Sequence, residues 1–264
     1  MTGPSEAALE VEGLQVAYGG NIAVKEMSFA APTNRVTGLI GPNGAGKTTT
    51  FNACNGLLRP SHGAVKAFGK DITKASVAAR AQLGIGRTFQ KVEICNNMSV
   101  QANVALGLEA RQVGRSVWRQ FFTSGEQKSR VREATADALE LCGITHLADT
   151  QALSLTTGQR RLLELARAVA GDYRLLLLDE PSSGLDEDET DVFGDILVSL
   201  VSTTGVGLLL VEHDMNLVMR VCDHIYVLDF GQLIFDGTPE QVRASPLVRA
   251  AYLGEAEDLA EVSA

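Results

Sequence analysis

Gly41-Pro42-Asn43-Gly44-Ala45-Gly46-Lys47-Thr48 decides the fold, because of what flanks it. A β-rich run, Arg35–Ile40, enters it, and TTTFNACNGLL, a helical pattern, leaves it, so strand, glycine-rich turn and helix follow in that order. The octet matches GxxxxGK[ST], a spacing with a mechanism behind it. Several backbone N–H groups must converge on one anion, and glycines let the chain fold that tightly without side chains in the way. Lys47 is expected to set a point charge on the β and γ phosphates of a nucleoside triphosphate, and Thr48 to offer a hydroxyl to Mg2+. The helix N-terminus adds its dipole. Thr49 is within reach of the α-phosphate.

Further along, Leu175-Leu176-Leu177-Leu178-Asp179-Glu180 is an apolar strand ending in two acids. That arrangement sets a carboxylate beside the Mg2+ of a phosphate loop, which is expected here on an adjacent strand. Asp179 is the metal-side acid. Glu180 leaves the strand and is the candidate general base, facing the γ-phosphate where a carboxylate can orient or deprotonate an attacking water.

Around these two sites strands and helices alternate, which argues for a parallel α/β sheet. Leu9–Val16, Val65–Phe68, Ile85–Phe89 and Val206–Val211 read as strands. Gln159–Ala170, the acidic start Asp186–Asp191 and Met215–Val221 read as helical. Ile225–Leu228 and Leu233–Phe235 read as an antiparallel hairpin with two short helices after it. From Met98 to about Leu141 the pattern is helix-like and forms a candidate helical lobe.

The chain has 264 residues, 45% of them hydrophobic and 21% charged, enough for a sizeable core and a poor match to long disorder or a disulfide scaffold. No apolar run approaches the ~18 residues of a membrane span. The start, MTGPSEAALE, lacks a basic region followed by an apolar stretch, so a cytosolic chain without a secretory signal is expected. Cys54, Cys95, Cys142 and Cys222 form no CxxC pair and read as buried or idle thiols. A net charge of −9 with no basic patch argues against nucleic acid and bare anionic lipid as partners.

Several motifs now stand together. Leu155-Thr156-Thr157-Gly158-Gln159, ahead of a helix, is similar to LSGGQ; Ser183-Gly184-Leu185-Asp186 is similar to a D-loop; Gln90 closes GRTFQ; His213 follows LLLVE; Tyr18 ends a strand. With the phosphate loop and LLLLDE, they make the chain resemble the ATP-binding subunit of an ABC transporter over residues 7–254. The resemblance implies an α/β fold of the P-loop NTPase type. Its RecA-like core has a mainly parallel sheet, with an antiparallel β subdomain and a helical subdomain inserted at about 91–165. Residues 255–264 form an acidic tail expected to be loose. The resemblance also implies ATP and Mg2+ as ligands, Gln90 as the Q-loop residue reaching the metal and the attacking water, and His213 as the switch histidine. Tyr18 stacks on adenine, while Thr156, Thr157, Gly158, Gln159 and Asp186 act from across a dimer interface. Two copies, or this chain and a sister ATPase, then face each other head to tail, because each signature caps a γ-phosphate held by the partner. Thr156 keeps the hydroxyl of the family's Ser. Thr157 puts a β-branched side chain where a glycine is usual, which puts the strength of that half-site in question. His62, His146 and His224 read as structural.

GRTFQ, VEHDMNLVMRVCDHIYVLDFG and GTPEQVRASPLVRAAYLGE narrow the resemblance to the ATPases of branched-chain amino-acid importers and their amide and urea relatives. That implies a bacterial uptake system: this chain peripheral on the inner face of the membrane, bound to transmembrane permease subunits, with a solute-binding protein outside. Lipid export by the same motor and a soluble ATPase maintaining nucleic acid are the alternatives. A P-loop kinase or a GTPase with NKxD leaves the signature and His213 without a purpose. Lys47→Ala is expected to abolish measurable ATP affinity in calorimetry.

Overall fold

This computed structural model describes residues 7–88, 94–112 and 125–252, with only the backbone for 109–112 and 125–128. The chain begins with β1 (Ala7–Tyr18), β2 (Asn21–Pro32), β3 (Val36–Ile40), α1 (Lys47–Asn55), β4 (His62–Ala67) and β5 (Lys70–Asp71). It continues with α2 (Val77–Leu83), β6 (Ile85–Arg87), α3 (Val100–Gln112), α4 (Gly125–Leu141), α5 (Thr157–Ala170) and β7 (Leu175–Asp179). Then follow α6 (Glu187–Thr204), β8 (Gly207–Val211), α7 (Met215–Val221), β9 (His224–Asp229), β10 (Gln232–Gly237) and α8 (Pro239–Ala244). A further helical turn covers 246–252.

Every residue of β3, β7 and β8 is buried. Such runs have no polar face because both sides of the sheet are covered. Alternation still sorts the side chains. Leu175 and Leu177 join Leu209, Val211, Phe51 and the inward residues of β1 and β2 in one core, whereas Leu176 and Leu178 join Leu208, Leu210, Leu163, Phe193 and Leu197 in another. The central sheet runs β10-β9-β3-β8-β7-β6 and is parallel except for β10, which pairs antiparallel with β9. A second, antiparallel sheet runs β2-β1-β4-β5. The helix-like stretch after Met98 is α3 and α4, which pack on each other and on α5.

One expectation changes, and one strand lies where none was expected. The phosphate loop and the acids are not on adjacent strands: β8 lies between β3 and β7, and the sites meet because both strands end at the same edge of the sheet. The second strand, β2, is also longer than anything its sequence signals. Glu26 has a φ of 46°, and the register with β1 slips between Val16/Val24 and Leu14/Met27, so buried Val24 and Met27 are three residues apart and the period of two is lost.

The far end of α1 is fixed by a charge. Arg80 on α2 is 1% exposed, and its guanidinium donates to the carbonyls of Ala53 (2.9 Å), Cys54 (2.6 Å), Ile72 (2.7 Å), Thr73 (3.3 Å) and Ala75 (3.2 Å). Two of these are carbonyls of the last turn of α1, where a cation also complements the helix dipole. Burial holds Arg80 below its usual range, against the opposing pull of Cys54 and Asp71. Arg80→Met is expected to lower unfolding stability by at least about 3 kcal/mol in a denaturant titration, since the buried carbonyls lose their donors.

Candidate functional site

The phosphate loop leaves β3 at Ile40 and enters α1 at Lys47. It is wedged on two sides. Gly41 has φ +149°, and a Cβ there would stand 2.1 Å from the Leu228 carbonyl oxygen; one at Gly46, φ +96°, would stand 2.8 Å from that of Ala23. Gly231 N donates to Ala45 O (3.1 Å), and Lys25 N donates to Gly231 O (2.7 Å), so the β9–β10 turn and β2 prop the loop from outside. Lys47 is buried and curls back, its Nζ donating to Gly41 O at 2.6 Å and Pro42 O at 2.9 Å. Asn43, Gly44 and Thr48 are exposed and Thr49 is half-buried, leaving the outer face of the loop and the start of α1 open to a ligand.

Asp179 is the last residue of β7 and only 6% exposed, and its Oδ1 has no hydrogen-bond partner. Burial, reinforced by Glu180, pushes its carboxyl up to about 6; Arg87 and Lys47 pull the other way. A buried, unsatisfied oxygen of this kind suits a hard cation such as Mg2+, which takes one or two carboxylates and completes its shell with phosphate oxygens. Among the described residues no cluster of three or more His, Cys, Asp or Glu could hold a metal without such help.

Glu180 has left the strand and stands in the left-handed region at φ 47°, uncommon for a side chain of this kind. Its N–H donates to Val211 O at 2.8 Å, and its Oε1 lies 3.9 Å from His213 Nδ1. His213 is 59% exposed at the end of β8. The phosphate loop, Asp179, Glu180 and His213 therefore share the carboxyl edge of the parallel sheet, the place where such sheets bind ligands.

Glu212, between β8 and His213, was not among the expected residues. It is fully buried and accepts four hydrogen bonds. The signal was present: Leu208-Leu209-Leu210-Val211-Glu212 has the same form as the apolar run that ends at Asp179.

The signature starts α5. Thr156 is the N-cap: its hydroxyl accepts from Gln159 N (3.2 Å), and its own N–H donates to Gln159 Oε1 (3.0 Å). Thr157 takes the first helical position and is not among the positive-φ residues, so a β-branched side chain meets no backbone strain there. The segment is bound to the D-loop-like turn: Arg161 donates to Ser183 O through Nε and Nη2, both at 3.2 Å, and Gly158 lies against the Glu189 carboxylate, which would meet a Cβ at 2.4 Å. Asp186 caps α6, accepting from Glu189 N at 2.8 Å. Tyr18 ends β1 and is 52% exposed, not packed away. Gln90 lies outside the described residues. Cys54, Cys142 and Cys222 are buried and Cys95 is exposed, all four unpaired.

The ABC transporter family profile matches residues 24–183. The chain belongs to the ABC transporter family. A second profile, branched-chain amino acid ATP-binding cassette transporter, matches residues 232–258. The chain is 39% identical to the high-affinity branched-chain amino acid transport ATP-binding protein BraF of Pseudomonas aeruginosa, over 96% of this chain and 100% of that one. It is 35% identical to LivG of Escherichia coli over the same shares, and 34% identical to the lipopolysaccharide export ATP-binding protein LptB of Haemophilus influenzae over 94% and 97%. A solved ATP-binding cassette of an ABC transporter in its ADP conformation superposes with a TM-score of 0.81 at 29% identity, covering 94% of this chain and 99% of that one. As a cassette of this family the chain binds nucleotide and hydrolyses ATP in a reaction coupled to transport.

The raised carboxyl of Asp179 has a sign. Its folded-state value lies above the unfolded one, so its contribution to stability is fully present below about pH 4 and is lost as pH rises through about 6. In nucleotide-free and metal-free protein, Asp179→Asn is expected to raise the thermal midpoint by several degrees near pH 7.5 and by almost nothing near pH 4, by scanning calorimetry.

Proposed function

We propose that the chain is the ATP-hydrolysing subunit of an importer for branched-chain or related amino acids, working as one half of a nucleotide-closed dimer. The reading is carried by one observation, the meeting of Glu180 and His213 at 3.9 Å on the sheet edge that also bears the phosphate loop. Lys47 and the backbone N–H groups of Gly44 to Thr49 hold the phosphates, and Tyr18 covers the adenine. Thr48, Asp179 and Gln90 would hold Mg2+, which would supply neutralisation of phosphate charge. Glu180 orients the attacking water and takes its proton, and His213 keeps the γ-phosphate end in place. Thr156, Thr157, Gly158, Gln159 and Asp186 serve the partner's nucleotide, so hydrolysis removes the charge that holds two cassettes together.

The transport assignment is supported by the match over residues 232–258 and by the relatives whose names describe branched-chain amino acid transport. Among the described residues no helix is long and apolar enough to cross a membrane. On the transport reading the chain docks on transmembrane permease subunits from the cytoplasmic side, through residues 90 to about 108, and depends on them and on an external solute-binding protein for its solute.

Glu180→Gln is expected to keep ATP affinity, lose turnover by a factor of about 100 or more, and run as an ATP-bound dimer on size exclusion with light scattering; a monomer there overturns the dimer scheme. Permease crosslinks are expected within 90–108, and crosslinks confined to the β9–β10 hairpin overturn the docking surface. The permease that copurifies separates amino-acid import from lipid export.

A further inference from the structure

We propose that Glu212 is a positioning residue whose two carboxylate oxygens lock the turn carrying Glu180 to the turn carrying His213. One oxygen, Oε1, accepts from the backbone N–H of Ser182 at 2.9 Å and from its hydroxyl at 2.6 Å. The other, Oε2, accepts from His213 N at 2.9 Å and Asp214 N at 3.2 Å, and lies 3.6 Å from His213 Nδ1. Each oxygen therefore serves a different strand end. Ser182 is two residues beyond Glu180 and belongs to its turn, since Ser183 N donates to Glu180 O at 3.1 Å.

Chemistry explains why an acid is used. A fully buried carboxylate is costly unless its lone pairs are filled, and here four donors fill them at charge-assisted strength. A second observation points the same way. Glu180 occupies a left-handed backbone conformation, which persists only where the surroundings over-determine it. Its own N–H is held by Val211 O on the same β8 end, and the Glu212 cage is a further tie between these two turns. The strand between the phosphate loop and the acids thus acts as a clamp. It sets how far Glu180 and His213 stand apart, without touching ATP itself.

The inference rests on the roles proposed above for Glu180 and His213. Glu212→Gln keeps the shape but turns one oxygen into a donor, so one turn loses its acceptor whichever way the amide faces. In the purified full chain, by itself or with its permease, this variant is expected to keep ATP affinity within about threefold and lose turnover by at least about tenfold. In a His213→Ala background, followed under single-turnover conditions, Glu212→Gln is expected to cost less than about threefold more, because one of the two groups whose separation it sets is already gone. Ser182→Ala, which removes a single donor, is expected to cost about three- to tenfold in turnover, and less than that on top of Glu212→Gln. Unchanged turnover in Glu212→Gln, an equal loss in both backgrounds, or a loss of affinity that matches the loss of rate overturns the proposal. If Glu212→Gln does not fold, unchanged turnover in Ser182→Ala overturns it. Glu180→Gln is the control: if it remains active, the reading of the site fails, whereas an inactive Glu180→Gln beside a fully active Glu212→Gln sinks this inference alone.

Discussion

Burial of the central strands on both faces is the constraint from which the rest follows. β3, β7 and β8 have no solvent side, so a charged group cannot leave them until they end. Because the three run parallel, they end together. Lys47, Asp179, Glu180, Glu212 and His213 come from positions far apart in the chain and meet along one rim for that reason. Burial at the rim disfavours the charged form of Asp179, whose carboxyl is pushed up to about 6.

The second dependence is on close backbone approach. The phosphate loop does not stand by itself. It is pressed by the Leu228 and Ala23 carbonyls, and the β9–β10 turn and β2 tie it down. Arg80 fixes the opposite end of α1, so the helix that the phosphate loop leads into is gripped at both ends. A similar economy joins the signature segment to its neighbour. Arg161 binds the Ser183 carbonyl, Ser182 binds Glu212, and Glu212 binds the turn of His213. The segment for which a role at a partner's nucleotide is proposed is thereby joined, through hydrogen bonds and the Ser182–Ser183 backbone, to the turn of His213.

Much of this was legible in the residues, and the gaps have physical causes. The phosphate loop and the acids of β7 announce themselves because function there demands residue types at fixed spacing. α7 and the β9–β10 hairpin follow from periodicity, with bounds within a residue or two of those expected. β2 was hidden because its bulges break the alternation that marks a strand, and α2 because the residue it buries is Arg80 and not an apolar stripe. The strand order was hidden as well: local sequence says that two strands end in chemistry, not that a third lies between them. Glu212 carries the same cue as Asp179, an apolar run ending in an acid, but the histidine next to it is the stronger functional signal.

The left-handed backbone at Glu180 makes two demands of one position that no single amino acid meets in full. Glycine would relax the turn and delete the acid, and glutamate supplies the acid and resists the turn. Selection for foldability alone would drift away from glutamate at this point. Its presence there fits the role proposed for Glu180, with some thermodynamic comfort given up to keep an acid aimed.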